Sequence, residues 1–303
     1  LGDWLDIGPN SPGVSQLTPI ALTATAFYYQ DVTLLAKMAR ALENKKDAKA
    51  YDLLATNIKR AFNAKFFDKN SGVYGSGSQT SYSMPLYLDL VEDKADRKKV
   101  FENLRDSILI HDKRITAGDI GHRFLVQTLA REGASDLLYQ MNNRTDVPGY
   151  GYQIKNGATA LAEHWSGPTA DFLSQNHMIF GHLMEWFYSG LAGIRQQDDD
   201  SGYRNFIVDP KFQGIDIDWV KSSYRSVNGI IAVSWKKSGS KFTLDLTIPA
   251  NSSAEVYLPV SSVEDVTVNG QKFLAYKEIK QVRKQDGKLI LSVPSGKYNF
   301  ECN

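Results

Sequence analysis

The chain has 303 residues, enough for one large core or two domains, because single hydrophobic cores stop growing at roughly 250–300 residues. Its 42% hydrophobic and 23% charged content fits neither a disordered nor a membrane-embedded chain. Thirty-five Lys and Arg balance 34 Asp and Glu, so a formal charge of +1 raises no overall field for polyanions, and nucleic acid is not an expected partner.

No stretch reaches the roughly 18 apolar residues that a membrane helix needs, so no membrane partner is expected either. The single cysteine, Cys302, cannot close a disulfide within the chain. The opening Leu1-Gly2-Asp3-Trp4-Leu5 lacks a starting Met and has the composition of a domain interior, which reads as a cut in a longer protein.

From Thr18-Pro19 to about Asn44, Ile20, Ala24, Phe27, Tyr28, Val32, Leu35, Met38, Ala39 and Leu42 recur at threes and fours. This spacing predicts a long amphipathic helix with Thr18 as N-cap and Pro19 in the first helical position. Tyr51, Leu54, Ala55, Ile58 and Phe62 predict a second helix from Asp47 to about Phe66, ended by Asp68-Lys69-Asn70-Ser71-Gly72. Further helices are expected over Ser78–Val91, Asp96–Leu109, Asp119–Arg131 and Ser135–Met141, together a stack of helical hairpins. A last helix is expected from near Ser174, carrying Met178, Ile179, Leu183, Trp186 and Phe187 until Gly190 and Gly193.

After the polar run Gln196-Gln197-Asp198-Asp199-Asp200-Ser201-Gly202 the period changes. Phe242, Leu244, Leu246 and Ile248 alternate with Thr243, Asp245 and Thr247, the pattern of a half-buried strand. Val227-Asn228-Gly229, Val268-Asn269-Gly270 and Asp286-Gly287 are hairpin-turn signals, and about eight short strands predict a β-sandwich. The expected organisation is multidomain α and β. A helical-hairpin domain occupies 1–199 and a small antiparallel β-sandwich occupies 200–303.

Three links carry more aromatic and polar residues than chain reversal requires: Gly2-Asp3-Trp4, Gly149-Tyr150-Gly151-Tyr152, and Gly157 to Trp165. Aromatic faces stack on sugar rings while Asp, Glu and His bond the hydroxyls, so a carbohydrate pocket is one reading of this cluster. Glu163, beside His164 and Trp165, is either a desolvated base that takes a proton from water or a solvated helix-end acid. Asp3 is a sugar ligand or a helix cap, and His177 a ligand or a hydrogen-bonded helix-start histidine. Trp186 reads as core, and His182 as structural. No Cys/His spacing suits zinc, no Gly-rich loop joins a strand to a helix, and no Gly-x-Ser-x-Gly elbow occurs, so neither metal nor cofactor is expected.

Gly157-Ala158-Thr159 to Glu163-x-Trp165, Ser174-Gln175-Asn176-His177 and Gly181-x-x-x-Glu185-Trp186 together resemble the inverting α-L-rhamnosidases, glycoside hydrolase family 78. Gly2-Asp3-Trp4 and Thr116-Ala117-Gly118-Asp119-Ile120-Gly121 also resemble that family's motifs. The resemblance implies a partial (α/α)6 barrel with a pocket for terminal rhamnose, and a rhamnose-containing oligosaccharide or glycoside as substrate. It makes Glu163 the general base, has Asp3 and His177 contact the sugar, and puts Trp165 in the pocket wall, with Trp4, Tyr152 and Asp119 as further candidate contacts. Ala162 and His164 stand where many relatives have Trp and Arg, and the spacer from Glu163 to His177 is short.

The family's general-acid glutamate sits upstream of Gly-Asp-Trp, where only Leu1 stands here, so the chain alone is expected to have little or no activity. A truncated helical face could pair two copies. Polysaccharide substrates would place the longer protein in the periplasm or outside the cell. Other (α/α)6 glycosidases, acting on glucosides, trehalose or uronides, and a non-catalytic carbohydrate-binding or structural module stay open at this point.

Overall fold

The computed structural model describes residues 1–170, 173–197 and 200–303 and forms two compact units, Leu1–Leu183 and Met184–Asn303. The division falls ahead of the polar run expected to separate the domains; Asp198 and Asp199 of that run lie outside the described residues.

In the first unit, α1 (Ile20–Ala41) pairs with α2 (Lys45–Phe66), and α3 (Gln79–Tyr87) packs on α4 (Lys94–Ile110) and on α5 (Gly121–Arg131), which α6 (Ser135–Asn142) follows. Caps explain the starts. The side chain of Asn44 accepts from Asp47 N, that of Ser78 from Ser81 N, and that of Asp93 from Ala95 N and Asp96 N. Thr18 does not cap α1. Its hydroxyl lies 2.7 Å from Ser78 Oγ, and Pro19 takes the N-cap position without a side-chain bond.

α3 lies at the centre of the unit: every residue from Gln79 to Leu86 is buried, so its circumference of hydroxyl and apolar side chains has protein on all sides. It stops at Tyr87 rather than Val91, after Pro85 and before Asp89 at positive φ. Phe124 of α5 meets Phe27 of α1 and Tyr87 edge-on, with centroids 5.7 and 5.5 Å away.

α1 has two apolar faces where the sequence suggested one. Leu22, Ala26, Val32, Ala36 and Ala39 are buried, whereas Ile20, Tyr28, Leu35, Met38 and Leu42 form an exposed stripe. A short hairpin, β1 (Phe67–Asp68) with β2 (Val73–Tyr74), interrupts the helical part and was too brief to show as a period of two.

Two further expectations fail locally. Tyr150–Lys155 forms a short helix, α7, instead of a link. The single helix expected from Ser174 is instead a 3₁₀ turn (Met178–Phe180), one α-helical turn (Leu183–Trp186) and a π turn (Phe187–Leu191). Ser174 Oγ accepts from Asn176 N and His177 Nδ1 accepts from Ile179 N; these local bonds replace those a helix would make.

The second unit is a nine-stranded sheet. Its strands are β3 (Ile194–Gln196), β4 (Asn205–Val208), β5 (Trp219–Ser226), β6 (Gly229–Ser238), β7 (Lys241–Leu258), β8 (Val266–Val268), β9 (Gln271–Lys272), β10 (Lys280–Gln285) and β11 (Lys288–Cys302). β7 and β11 run through both halves: residues 242–248 pair with 296–302 and 253–258 with 289–294, with the register shifting between Pro294 and Gly296. One half thus carries β5, β6, β8 and β9, and the other β3, β4 and β10. All pairings are antiparallel except β4 with β7.

The hairpin signals fall where expected: Asn269-Gly270 and Asp286-Gly287 have positive φ at both residues, matching the right-handed twist of the strands they join. Phe242, Leu244, Leu246 and Ile248 are buried with Trp235, Phe206, Val256, Leu291 and Phe300 in one core. Trp235 donates from its indole to Leu191 O at 2.7 Å.

Candidate active site

Asp3 is the centre of the site's framework. It is 0% exposed; its Oδ1 accepts from Gly121 N at 2.7 Å, and its Oδ2 from Thr80 Oγ1 at 2.5 Å and Gly118 N at 3.1 Å. Asp119 N donates to Trp4 O at 2.8 Å and Ile7 N to Thr116 O at 3.0 Å, so residues 3–7 and 116–121 are laced together.

That lacing accounts for both glycines of Thr116-Ala117-Gly118-Asp119-Ile120-Gly121. A Cβ on Gly118 would overlap Trp4 O, and one on Gly121 would overlap the Thr80 hydroxyl and lie 2.7 Å from Asp3 Oδ2. Burial pushes the Asp3 carboxyl up to about 6, against the three donors that favour its charged form.

Glu163 lies on a loop that doubles back on itself. Glu163 N donates to Ser174 O (2.9 Å) and His177 N to Leu161 O (2.7 Å), and Ser174 N donates to Glu163 Oε2 (3.1 Å). This two-rung ladder brings Glu163 and His177 to one place, both half-exposed. Gln153 of α7 clamps the loop from below, donating to His164 O at 3.2 Å and accepting from Ala162 N at 3.3 Å.

Trp165 then ties this loop to the other one, its indole N–H bonding Ala117 O at 2.7 Å. Asp119, two residues on from Ala117, feels Glu163. Its carboxyl is raised to about 7 by burial, then by the charges of Asp3 and Glu163, and its Oδ1 is buried with no hydrogen-bond partner among the described residues.

The structure corrects several assignments. Trp165 is 0% exposed, its ring stacked on Phe180 at 3.7 Å and edged by His122 and Tyr150, so it supports the site from the core and forms no pocket wall. Asp3, equally buried and fully hydrogen-bonded, positions backbone and offers no surface to a sugar. His177 caps the 3₁₀ turn through Nδ1 and is not inside a helix. Tyr152 is half-exposed on α7, and among the described residues no hydrogen bond or ring contact ties its side chain to Glu163. Trp4, also half-buried, joins the framework through its carbonyl. Of the acid–base groups singled out in the sequence, Glu163 and His177 keep access and Asp119 an unmet bond.

Sequence reading missed Thr80, Gln153 and His122. His122 is fully buried; burial, then the nearby His182, hold its ring at about 3 and therefore neutral, and its Nε2 lies 3.1 Å from the Tyr150 hydroxyl. Nothing local in the sequence marks Thr80 or Gln153, because their partners are 77 and 9–11 residues away. Among the described residues, no group of three or more His, Cys, Asp or Glu is arranged to hold a metal ion, and no helix is long and apolar enough to cross a membrane.

Helical hairpins with Asp119 and Glu163 on their loops, followed by a β-sheet unit, have the element order of a helical-hairpin glycosidase domain with a C-terminal β domain. The profile of the bacterial α-L-rhamnosidase six-hairpin glycosidase domain matches residues 1–191, and that of the bacterial α-L-rhamnosidase C-terminal domain matches residues 193–273. The chain belongs to the bacterial α-L-rhamnosidase family of glycoside hydrolases.

It is 30% identical to an α-L-rhamnosidase of Streptomyces avermitilis over 306 residues, covering 99% of this chain and 28% of the relative. The crystal structure of that organism's α-L-rhamnosidase complexed with L-rhamnose superposes over 100% of this chain and 28% of its own, with TM-score 0.86 and 28% identity. The α-L-rhamnosidase of Dictyoglumus thermophilum gives TM-score 0.88 and 30% identity over 100% of this chain and 34% of its own. The chain thus spans about a third of the length of these relatives.

Proposed function

We propose that the chain forms part of an enzyme releasing terminal α-L-rhamnose with inversion, in which Glu163 is the general base. Glu163 takes a proton from a water molecule, the oxygen attacks the anomeric carbon from the face opposite the leaving group, and a second carboxyl protonates the departing oxygen. The observation that carries this reading is the ladder holding Glu163 and His177 together beside Asp119.

Asp119, with its proton held to about 7 and an unmet Oδ1, and His177 then bond the sugar hydroxyls. Asp3 and Trp165 fix those groups from behind. The general acid is the family's glutamate upstream of Gly-Asp-Trp, outside these 303 residues. General acid–base catalysis contributes about 10²–10⁴ in rate, so the chain alone should turn over an aryl α-L-rhamnoside slowly or not at all.

Calorimetric titration with L-rhamnose tests the assignment. Saturable binding should weaken in Asp119→Asn and His177→Ala and persist in Glu163→Gln, while in a protein carrying the upstream segment Glu163→Gln should abolish turnover. Rhamnose binding indifferent to all three substitutions would refute it, as would rapid turnover by the 303 residues alone. We also propose that the exposed stripe of α1 pairs two copies in solution. Leu35→Glu with Met38→Glu should then remove a concentration-dependent dimer, and a monomeric mass at all concentrations would end that idea.

A further inference from the structure

The near-neutral total charge conceals a local imbalance on the second unit. In the half-sheet built on residues 253–258 of β7, Phe206, Val208, Val256, Leu258, Leu289 and Leu291 are buried in the core. The alternate positions lie on the other face, where Ile290 is fully buried and Ile207, Glu255 and Tyr257 are partly exposed. Register sets Arg195 opposite Ile207 and Ile207 opposite Glu255, and sets Tyr257 opposite Ile290 and Ile290 opposite Arg283.

On this face the buried carboxylate of Asp209 draws in three cations: Lys288 Nζ at 2.7 Å from Oδ1, and Arg195 Nη2 at 3.1 Å and Lys211 Nζ at 2.5 Å from Oδ2. Beside them Arg283 reaches Glu255 Oε2 at 3.3 Å and the Tyr257 hydroxyl at 3.1 Å. Among the described residues, four cations thus meet two carboxylates on one patch.

The surplus is not buried beyond reach, since the side chains of Arg195 and Arg283 are 39% and 43% exposed. It is also not satisfied: Arg195 Nε is buried with no hydrogen-bond partner among the described residues. The part-exposed guanidinium of Arg195, between ammonium groups, suits the planar fork of a carboxylate. Burial, with Lys288 and Arg195 adding to it, holds the Lys211 amine below its ordinary value despite Asp209, so an added anion would relieve this group. A nucleic-acid backbone would need a longer basic track than these four side chains provide. One sugar carboxylate offsets one of the two surplus charges, and the half-exposed Tyr257 offers an aromatic surface next to it.

We propose that this face is a binding site for an acidic sugar, in which Arg195 and Lys211 hold a uronate carboxylate and Tyr257 meets the ring. The sugar half of this assignment rests on the rhamnosidase reading, whereas the oxyanion half rests only on the charges. The site shares no residue with the Glu163 site, and the test keeps the two apart.

The 303-residue chain is titrated at low ionic strength with digalacturonate, and beside it with sodium sulfate and with the neutral disaccharide galactobiose, following backbone amide shifts by NMR. Digalacturonate should saturate shifts at residues 194–196, 209, 211 and 283–290. Losing one charge-assisted contact should weaken it roughly tenfold in Arg195→Gln, with Arg195→Lys retaining part of the affinity. Added salt should weaken it further, Glu163→Gln should leave it unchanged, and galactobiose should not saturate.

Thermal melting checks that Arg195→Gln is folded; should it not be, Lys211→Met serves the same purpose. Absence of saturable digalacturonate binding, or affinity unchanged in a folded variant, overturns the site. Sulfate binding as tightly as digalacturonate overturns its assignment to a sugar. A loss of rhamnose binding at Glu163 with digalacturonate binding intact would count against the proposed function alone.

Discussion

Two aspartates are buried to nearly the same degree, Asp3 in the helical unit and Asp209 in the β unit, and burial raises the proton affinity of both. They end on opposite sides of the ordinary carboxylate value. Asp3 is met only by dipoles, two backbone N–H groups and a hydroxyl, and stays raised at about 6. Asp209 is met by full charges on Lys288, Lys211 and Arg195, which outweigh the burial and bring it below the ordinary value. The comparison teaches that three dipoles only partly offset the burial of a carboxyl, while three counter-charges overcome it. The helical unit therefore carries an acid-rich site that retains protons, and the β unit a charged cluster.

The largest expected effect comes from breaking the charged member of the pair. Asp209→Ala leaves three cations facing one another and should destabilise the β unit by about 3–5 kcal/mol, measured by chemical denaturation. Asp3→Ala should cost somewhat less, about 3 kcal/mol, because it strands two backbone N–H groups and the Thr80 hydroxyl instead of charges. A smaller loss for Asp209→Ala than for Asp3→Ala would invert the comparison.

Titration sharpens it. The folded chain holds the Asp3 proton more tightly than the unfolded one does, so stability from this group is full below about pH 4 and is lost as the pH rises through about 6. Asp209 is depressed, so its contribution is present above about pH 4 and is lost in acid. Hydrogen exchange at α3 and α5 should accelerate from pH 4 to pH 7 relative to exchange at β6 and β7, after correction for intrinsic rates. Asp119→Asn should flatten the helical unit's decline over the same range, since its proton is held to about 7. Parallel profiles for both units would contradict the contrast. The smallest effect belongs to Glu163→Gln, which is half-exposed and keeps an acceptor for Ser174 N; its stability should change by no more than about 0.5 kcal/mol.

Much of the architecture was legible. Threes and fours mark α1 and α2 because each must bury a stripe, and Asn-Gly and Asp-Gly mark hairpins because both residues need positive φ. The stretch from Ser174 to Leu191 was not, since Met178, Ile179, Leu183 and Trp186 keep a helical spacing while Ser174 and His177 bond their own backbone. α1 misled for another reason: one helix carries two apolar faces, and periodicity reports that both exist without saying which is covered.

For the candidate site, the motif residues differ in what the structure leaves them free to do. Glu163, Asp119 and His177 keep access or unmet bonds, whereas Asp3 and Trp165, equally prominent as letters, lie fully buried. Side-chain type says what chemistry is possible, and burial decides whether a ligand can use it.

By itself the sequence determined the helical hairpins, the strands and their turns, and the family, because these depend on local periodicity, turn chemistry and motifs along the chain. Only the tertiary structure decided that Asp3 would serve Gly118, Gly121 and Thr80, that Trp165 would link the Glu163 loop to Ala117, and that four cations would surround Asp209 and Glu255. These contacts join residues far apart in the chain, and the energies that set their charge states come from desolvation and neighbouring charges, which exist only once the chain has packed.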